Sequence, residues 1–384
     1  MFNTLYKFLN YFLRINFNLA IKIFFLILAK NFSKYPRYVI NFENNIAKKF
    51  NSKFALTFSS GSAACSASVL SLGHRKNSIA FVSKITFPST IVALLQCNYN
   101  IKYLDCDHNF NPIFDENWNH DNIIPDLVVL THPFGFPIGN YFLEKLISKN
   151  KDVRIIFDCS HAQGAKINNK FLSEYADLTF FSMQGAKAIS GGEGGVVLTN
   201  HEIYYERMIK LSHPGRLNSK IENEFTGVSM SLKLRMHPLA AVIANESLKK
   251  LNKYNSSMNK KINTIYRFLS KENSIRLPSI KKLILGGFHY GLPFFSEKDF
   301  RRNSFLPIKS YNWPFYEKND FYSLEVFNSD NFIEKETSYL KITKFEKENS
   351  DIRSKLFFID LDWIKYNSEN YIKNSIDNFL KSLK

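Results

Sequence analysis

Short apolar runs alternate with helix-like stretches from about Lys53 onward, and this alternation constrains the fold more than any other feature of the chain. Runs of this length bounded by turn residues are typical of buried strands. Strands that alternate with helices form a mainly parallel sheet with helices on both faces. The predicted strands are Phe54–Phe58, Ser78–Ser83, Ile101–Asp105, Leu127–Thr131, Val153–Asp158 and Leu178–Ser182, with predicted helices at Gly61–Leu72 and Ser89–Gln96.

The rest of the chain indicates a second, smaller unit. Val196–Thr199 follows a glycine-rich turn and is predicted to pair in a hairpin, and residues 202–253 read as helical. Beyond Lys253, helix-like stretches such as 259–271 alternate with short aromatic strands such as 287–295. We therefore expect an α/β large domain over residues 36–253 and an α+β domain over 254–384, preceded by a basic, apolar helical segment over 1–35.

The chain is basic, with a net charge of +17 and a pI near 9.5. An anionic partner, such as a phosphate, a nucleotide or a membrane surface, is one interpretation. Compositional drift is the other and is favoured, because the lysines are scattered along the whole chain. No nucleic-acid-binding module is present, so no nucleic acid partner is predicted. The four cysteines form no C-x-x-C pair and have no histidine at zinc spacing, so no metal site is predicted. Reduced cysteines fit a cytoplasmic protein.

The N-terminal segment leaves two alternatives open. Leu19–Ala29 is apolar, but it is too short to span a membrane and Lys22 interrupts it. The first alternative is a basic amphipathic helix that lies on a membrane surface, which would place the protein peripherally at the inner membrane. The second is a helix packed on the protein itself or on a second subunit, and this alternative is slightly favoured.

Polar residues follow three of the predicted strands. Ser60–Ser62, Asp158 and Ser182 each come at a strand end, and ligands of parallel sheets bind beyond the carboxyl ends of the strands. Gly61 and Ser62 also begin a predicted helix, whose free N–H groups suit a phosphate. An ordinary turn with serine capping is the alternative for that segment.

Asp158 and His161 form the second candidate cluster. A carboxylate at the end of a buried strand is costly unless it is paired, and a protonated pyridine nitrogen would supply the partner. A helix-capping aspartate is the alternative. His161 follows three residues later and could reach the same ligand, although a lone histidine is more often structural.

Lys187 is the third candidate. It lies within FFSMQGAKAISGGEGGVV, residues 180–197, where small residues and glycines would let the backbone crowd around a bound ring. Burial lowers the pKa of a lysine and makes it a better amine nucleophile and Schiff-base former. The alternative is a solvated loop lysine.

Together these segments resemble the DegT/DnrJ/EryC1/StrS family of sugar aminotransferases. The resemblance covers roughly residues 38–253, and its motifs occur in the family's order. They are Ser60-Gly61-Ser62-Ala63-Ala64, Ile85-Thr86-Phe87, His132-Pro133-Phe134-Gly135, Asp158 to Ala165 (DCSHAQGA), Ser182 to Lys187 followed by Gly-Gly-Glu193-Gly-Gly, and Gly227 to Ala241 (GVSMSLKLRMHPLAA). The resemblance implies a PLP-dependent transferase of fold type I and a homodimer in which each site is completed by the other subunit.

The resemblance also implies roles for single residues. Lys187 would carry pyridoxal 5'-phosphate (PLP) as a Schiff base and move the proton between substrate carbon and cofactor. Asp158 would hold the proton on the ring nitrogen, so that the ring acts as an electron sink. Phe87 would stack on the ring. The cofactor phosphate would be bound by Gly61, Ser62 and Ser182.

Two positions depart from the family's usual residues. His161 stands where many members carry glutamine, near the ring hydroxyl. Lys233 stands where many carry an asparagine that reaches the phosphate in the partner subunit, and a lysine also suits phosphate. These departures suggest a side branch of the family. Secondary candidates for substrate contact or structural roles are Glu193, His132, Arg235 and His237.

The implied function is transfer of an amino group from glutamate or glutamine to a keto-sugar, usually nucleotide-linked, in amino-sugar or surface-polysaccharide biosynthesis. Two alternatives remain. One is a PLP-dependent sugar dehydratase; relatives of that kind carry histidine in place of the lysine, so Lys187 favours transamination. The other is a non-catalytic, membrane-associated relative that binds PLP or a sugar nucleotide.

Overall fold

The computed structural model describes residues 36–73, 78–113, 124–138, 151–213, 231–280, 283–300, 304–310 and 355–383, together with residues 23, 144, 147 and 216. The described strands, in chain order, are β1 (Phe54–Phe58), β2 (Ile79–Ser83), β3 (Asn100–Leu104), β4 (Leu127–Thr131), β5 (Arg154–Asp158), β6 (Lys166–Ile167), β7 (Lys170–Phe171), β8 (Leu178–Ser182), β9 (Gly195–Thr199), β10 (Ile275–Arg276), β11 (Leu283–Ile284), β12 (Gly291–Ser296), β13 (Ile308–Ser310) and β14 (Leu356–Asp360). The described α-helices are α1 (Pro36–Lys49), α2 (Gly61–Ser71), α3 (Pro88–Gln96), α4 (Glu202–Ser212), α5 (Pro238–Leu269), α6 (Leu361–Tyr366) and α7 (Glu369–Lys381).

The central sheet has seven strands in the order β1-β9-β8-β5-β4-β2-β3. The strands β3, β2, β4, β5 and β8 pair in parallel, whereas β9 runs antiparallel between β8 and β1. The predicted α/β fold with a mainly parallel sheet is confirmed, and so is the prediction that the segment after the glycine-rich turn pairs antiparallel with the strand before it.

Helices cover both faces of this sheet. Along β4, Val128 and Leu130 belong to the core on one face, and Leu127 and Val129 belong to the core on the other. Residues of α1 and α5 complete the first core, and residues of α2, α3 and α4 complete the second. Burial on both faces explains why the parallel strands are almost continuously apolar in sequence.

The prediction that residues 202–253 are helical holds for residues 202–212 and 238–253 but is wrong for residues 231–237. The described residues form two helices, α4 and α5, and residues 231–237 before α5 are not helical. Pro238 is the first residue of α5, where its missing N–H and fixed φ are tolerated, and it disfavours helix at the residue before it. His237 accordingly adopts an extended backbone and caps α5, since its Nδ1 accepts a hydrogen bond from the backbone N–H of Leu239.

Helix α5 passes from one core to another. Leu248 and Leu251 pack in the core on one face of the central sheet. Met258 and Ile262 pack in a separate core, under a four-stranded sheet of order β10-β12-β14-β13. The predicted division after Lys253 therefore falls within a continuous helix, at the point where the helix changes cores. The domain limits remain a prediction.

Most of the predicted N-terminal segment, residues 1–35, lies outside the described residues. Ile23 is described; it is helical and packs against Val242 of α5. That contact favours the packed helix over a helix on a membrane surface, an alternative that stays a prediction. Within the described ranges, no helix has a long enough apolar stretch to cross a bilayer.

Candidate functional site

A cavity of about 340 Å³ opens at the carboxyl ends of β1, β2, β4, β5 and β8. Each strand is followed by a segment that supplies side chains to the wall, as expected for ligand sites of parallel sheets. Eight of the candidate cofactor-binding or substrate-binding residues line it, and they are Gly61, Ser62, Phe87, Asp158, His161, Ser182, Lys187 and Glu193.

The turn between β1 and α2 provides the N–H groups of a phosphate seat. Ser60 is the N-cap of α2, and its Oγ accepts a hydrogen bond from the backbone N–H of Ala63 at 3.1 Å. The N–H groups of Gly61 and Ser62 have no acceptor within the helix, because they belong to its first turn. Gly61 must be glycine here: a Cβ would lie 2.6 Å from Cβ of Ser182. This close approach brings the Ser182 hydroxyl beside the helix N-terminus.

Asp158 closes the cavity at the end of β5. It is 4% exposed, and its Oδ1 accepts a hydrogen bond from the backbone N–H of Ser160 at 2.9 Å. Burial raises the pKa of the Asp158 carboxyl, while the Ser160 hydrogen bond and the charge of Lys187 act in the opposite direction. A buried carboxylate of this kind is stabilised by a cationic ligand at the cavity.

Lys187 lies in the loop between β8 and β9, where its backbone N–H donates to the carbonyl of Gln184 at 2.9 Å. Burial lowers the pKa of its ammonium group to about 8, and the nearby Asp158 partly opposes this shift. A much larger fraction of the amine is therefore neutral at pH 7 to 8 than for a solvated lysine. The interpretation of Lys187 as an ordinary solvated loop lysine does not fit this environment.

Gln163 fixes the loop that carries Lys187, and sequence reasoning did not identify it. Its Nε2 donates to the carbonyl of Ser182 at 2.8 Å, and its Oε1 accepts from the backbone N–H of Ile189 at 2.6 Å. One fully buried side chain thus binds both ends of the Met183–Ala188 segment. The signal in the sequence is weak: a polar residue between two small ones, Ala162 and Gly164.

Phe87, His161 and Glu193 line other parts of the wall. Phe87 is 46% exposed although it is a large aromatic, which leaves its ring accessible to a planar ligand. His161 is buried, and its pKa is held well below the usual value by burial and by Lys187 and His289. Glu193 is exposed at the rim, between two glycine pairs.

Four predicted residues do not line the cavity, and they are Lys233, Arg235, His237 and His132. Lys233 and Arg235 are exposed and lie outside its lining, so a role for Lys233 in a partner subunit's site remains a prediction. The structure does not support His132 as a substrate contact. It is 0% exposed, its Nδ1 accepts a hydrogen bond from the backbone N–H of Ile138, and its ring packs edge-on against Phe157. Burial lowers its pKa to about 3, so it stays neutral.

The cavity fits PLP, the cofactor that the resemblance implies. It combines a helix N-terminus beside a serine hydroxyl, a buried carboxylate and a lysine with a lowered pKa. These groups match a phosphate, a protonated ring nitrogen and an aldehyde, respectively. A half-exposed aromatic ring completes the wall.

Comparison with known proteins places the chain in a family. The chain is 26% identical over 188 residues to GDP-perosamine synthase of Escherichia coli O157:H7, which is 46% of this chain and 49% of that protein. It thus spans about half the length of that relative. It is 23% identical over 336 residues to UDP-4-amino-4,6-dideoxy-N-acetyl-beta-L-altrosamine transaminase of Campylobacter jejuni subsp. jejuni (strain 81-176), which is 81% of this chain and 88% of that protein.

A solved structure shares the fold over most of the chain. It is GDP-4-keto-6-deoxymannose-3-dehydratase with a trapped PLP-glutamate geminal diamine, at a TM-score of 0.72 and 19% identity, covering 92% of this chain and 96% of that one. The fold of PLP-dependent transferases of type I is thereby confirmed. The sequence profile of one family also matches residues 26–283. The chain therefore belongs to the DegT/DnrJ/EryC1/StrS aminotransferase family.

Proposed function

We propose that the protein is a PLP-dependent aminotransferase that moves an amino group from glutamate or glutamine to a nucleotide-linked keto-sugar. The observation that carries the proposal is the meeting of Lys187 and Asp158 in one cavity, next to a phosphate seat. The setting would be the biosynthesis of amino sugars for surface polysaccharides. A homodimer, with Lys233 reaching the partner's site, is part of the same proposal.

Bound PLP supplies an electron sink for the carbon that gains or loses the amine. Gly61, Ser62 and Ser182 would hold the phosphate through N–H and hydroxyl groups. Asp158 would keep the ring nitrogen protonated. Lys187 would anchor the cofactor and move the proton at the reacting carbon of the substrate. Phe87 would contact the ring.

We propose nucleotide-linked sugars as the acceptor class because two relatives, one matching 46% and the other 81% of this chain, are named for GDP- and UDP-linked amino sugars. A diphosphate also suits a basic protein with a net charge of +17. Glutamate as donor is supported by the trapped PLP-glutamate species named for the solved neighbour.

That same neighbour supports a second candidate, a PLP-dependent sugar dehydratase, because it is itself named as a dehydratase. Dehydration would remove a hydroxyl group as water and leave no nitrogen on the sugar. Lys187 favours amine transfer, because an amine anchored beside the reacting carbon can return the cofactor to its lysine-bound form after each cycle.

One experiment separates the candidates. The PLP-loaded protein is treated with L-glutamate or L-glutamine while the visible absorption of the lysine-bound cofactor is followed. GDP- and UDP-linked 4-keto-6-deoxy sugars are then added, and the masses of the sugar products are determined by mass spectrometry. An aminotransferase loses the band with the donor, regains it with a keto-sugar and yields an amino sugar. A product that has lost water and gained no nitrogen identifies the dehydratase, and no response to any donor contradicts both.

Replacing Gln163 with methionine tests the support of the Lys187 loop. The change keeps the length of the side chain but leaves the carbonyl of Ser182 and the N–H of Ile189 without their partner. We expect a loss of stability on the order of 3 kcal/mol and weaker PLP binding, since buried groups left unsatisfied are costly. Thermal unfolding and PLP titration measure the two effects. The exposed Gln96, replaced in the same way, is the control; equal behaviour of the two variants contradicts the role of Gln163.

A further inference from the structure

The wall of the cavity includes one side chain from a part of the chain far from the family motifs, His289. His289 lies in the segment Gly286–Tyr290, which leads into β12 of the smaller sheet. The cavity is otherwise lined by segments that follow strands of the central sheet. His289 thus comes from the part of the chain that forms the smaller sheet, whereas the rest of the cavity wall comes from the central sheet and the segments that follow its strands.

Hydrogen bonds from two sides fix the backbone of this segment. The N–H of Gly286 donates to the carbonyl of Gly135 at 3.1 Å, and the N–H of Gly287 donates to Oδ1 of Asn255 at 3.0 Å. The Nδ2 of the same asparagine donates to the carbonyl of Gln163 at 3.0 Å. Asn255 therefore ties the segment to the loop that follows Asp158.

The backbone also approaches that loop closely. A Cβ at Gly286 would lie 2.5 Å from the backbone N of Ala165, and a Cβ at Gly287 would overlap the backbone of Gln163. Phe288 and Tyr290, on either side of His289, both have positive φ, 37° and 74°. Bulky residues rarely adopt this conformation, and such conformations persist where the surrounding structure imposes them, often at functional sites.

The result is a pair of imidazoles at the cavity wall. The ring centroids of His289 and His161 are 4.5 Å apart. Burial, together with the charge of Lys187, lowers the pKa of His289 to about 3. The same two causes lower the pKa of His161. Among the described residues, none forms a hydrogen bond to the His289 side chain, so both ring nitrogens are available to a molecule bound in the cavity.

We propose that His289 is a specificity-determining residue that hydrogen-bonds an uncharged hydroxyl or carbonyl oxygen of the acceptor sugar. A neutral imidazole offers one donor and one acceptor, which suits such oxygens, whereas carboxylates and phosphates are better bound by arginine or lysine. The donor amino acid presents a carboxylate and therefore does not depend on His289. This inference rests on the proposed function, since it names the part of the acceptor that the site selects.

The test compares the two half-reactions in the PLP-loaded protein. His289→Phe keeps a ring of similar size without hydrogen bonds, and His289→Asn restores a neutral donor and acceptor. We expect the L-glutamate half-reaction of His289→Phe to stay within about twofold of wild type. Its half-saturating concentration of GDP- or UDP-linked 4-keto-6-deoxy sugar should rise about tenfold, the scale of one lost hydrogen bond, with much of the loss recovered in His289→Asn.

Two controls make the outcome specific. His201→Phe removes an imidazole at the start of α4, outside the cavity lining, and should change neither half-reaction. The nucleoside diphosphate alone should bind wild type and His289→Phe equally, because His289 contacts the sugar. His289→Ala repeats the test if the phenylalanine variant does not fold.

The proposal is overturned if His289→Phe and wild type have the same half-saturating concentration of the acceptor. It is also overturned if the variant loses the donor and acceptor half-reactions to the same extent. If none of the keto-sugar nucleotides restores the absorption band of the wild-type protein, the proposed function is wrong, and the proposed role of His289 is wrong with it. The two failures differ in the behaviour of the wild-type protein.

Discussion

Lys187→Ala is expected to abolish turnover and to leave the fold intact. Proton transfer by a positioned side chain contributes about 10²–10⁴-fold to a rate, and this variant also loses the covalent anchor of the cofactor. Stability should change by less than about 0.5 kcal/mol, because Lys187 faces a cavity and its removal leaves no packed core residue without its neighbours. Steady-state turnover and thermal unfolding of the same preparation measure the two effects.

The spectrum of the variant identifies the cause of the loss. The visible band of the lysine-bound cofactor should be absent from Lys187→Ala after incubation with PLP and present in wild type. The exposed Lys249, replaced by alanine, is a matched control and should keep both band and turnover. A variant at position 187 that turns over at the wild-type rate is incompatible with the proposed mechanism.

The central sheet could be predicted closely because its strands are buried on both faces. Leu127–Thr131 and Leu178–Ser182 are strands with the predicted limits. A continuous apolar run gives such a strand a clear start and end in sequence. The domain boundary was harder to predict from the sequence. Helix α5 passes from one core to another near Lys253, but its apolar periodicity continues across that point and gives no sign of the change.

The site could be predicted in part for a topological reason. Segments that follow parallel strands meet at one edge, so Gly61, Asp158 and Ser182 were expected to lie together, and all three line the cavity. His132 also follows a strand, but its ring turns inward to accept a hydrogen bond from Ile138, which the same rule does not foresee.

The roles of Gln163 and His289 could not be found from local pattern, although the aromatic, glycine-containing segment Gly286–His289 stands out in the C-terminal part of the sequence. Gln163 acts through hydrogen bonds to residues 19 and 26 positions away. His289 reaches the cavity only because Asn255 and Gly135 hold its segment there. Both placements depend on tertiary contacts between segments distant in sequence.

Asp158→Asn is expected to separate stability from catalysis. The amide keeps the shape of the side chain and an oxygen that can accept from the N–H of Ser160. It carries no charge and cannot hold a proton on the cofactor ring, so the ring becomes a poor electron sink. We expect both half-reactions to slow by about 10²-fold or more, the scale of losing one preorganised electrostatic partner, while PLP still attaches to Lys187.

Stability should respond in the opposite sense. Burial raises the pKa of Asp158 in the folded protein, which means that the cofactor-free fold disfavours the charged carboxylate. Wild type therefore loses stability relative to the asparagine variant as the pH rises from the unfolded-state pKa of the carboxyl through its folded-state pKa. Without PLP, the variant should be at least as stable as wild type at neutral pH in thermal unfolding.

Asp177 supplies a matched control near the opposite end of β5. Its Oδ2 accepts a hydrogen bond from the backbone N–H of Ile155 at 2.7 Å, but it lies outside the cavity lining. Asp177→Asn should keep wild-type half-reactions. Normal rates in Asp158→Asn would show that the cofactor ring does not meet this carboxylate. Slow rates at position 158 with normal rates at position 177 tie catalysis to the charge at the cavity end of the strand, because both variants exchange a hydrogen-bonded carboxylate for an amide beside the same strand.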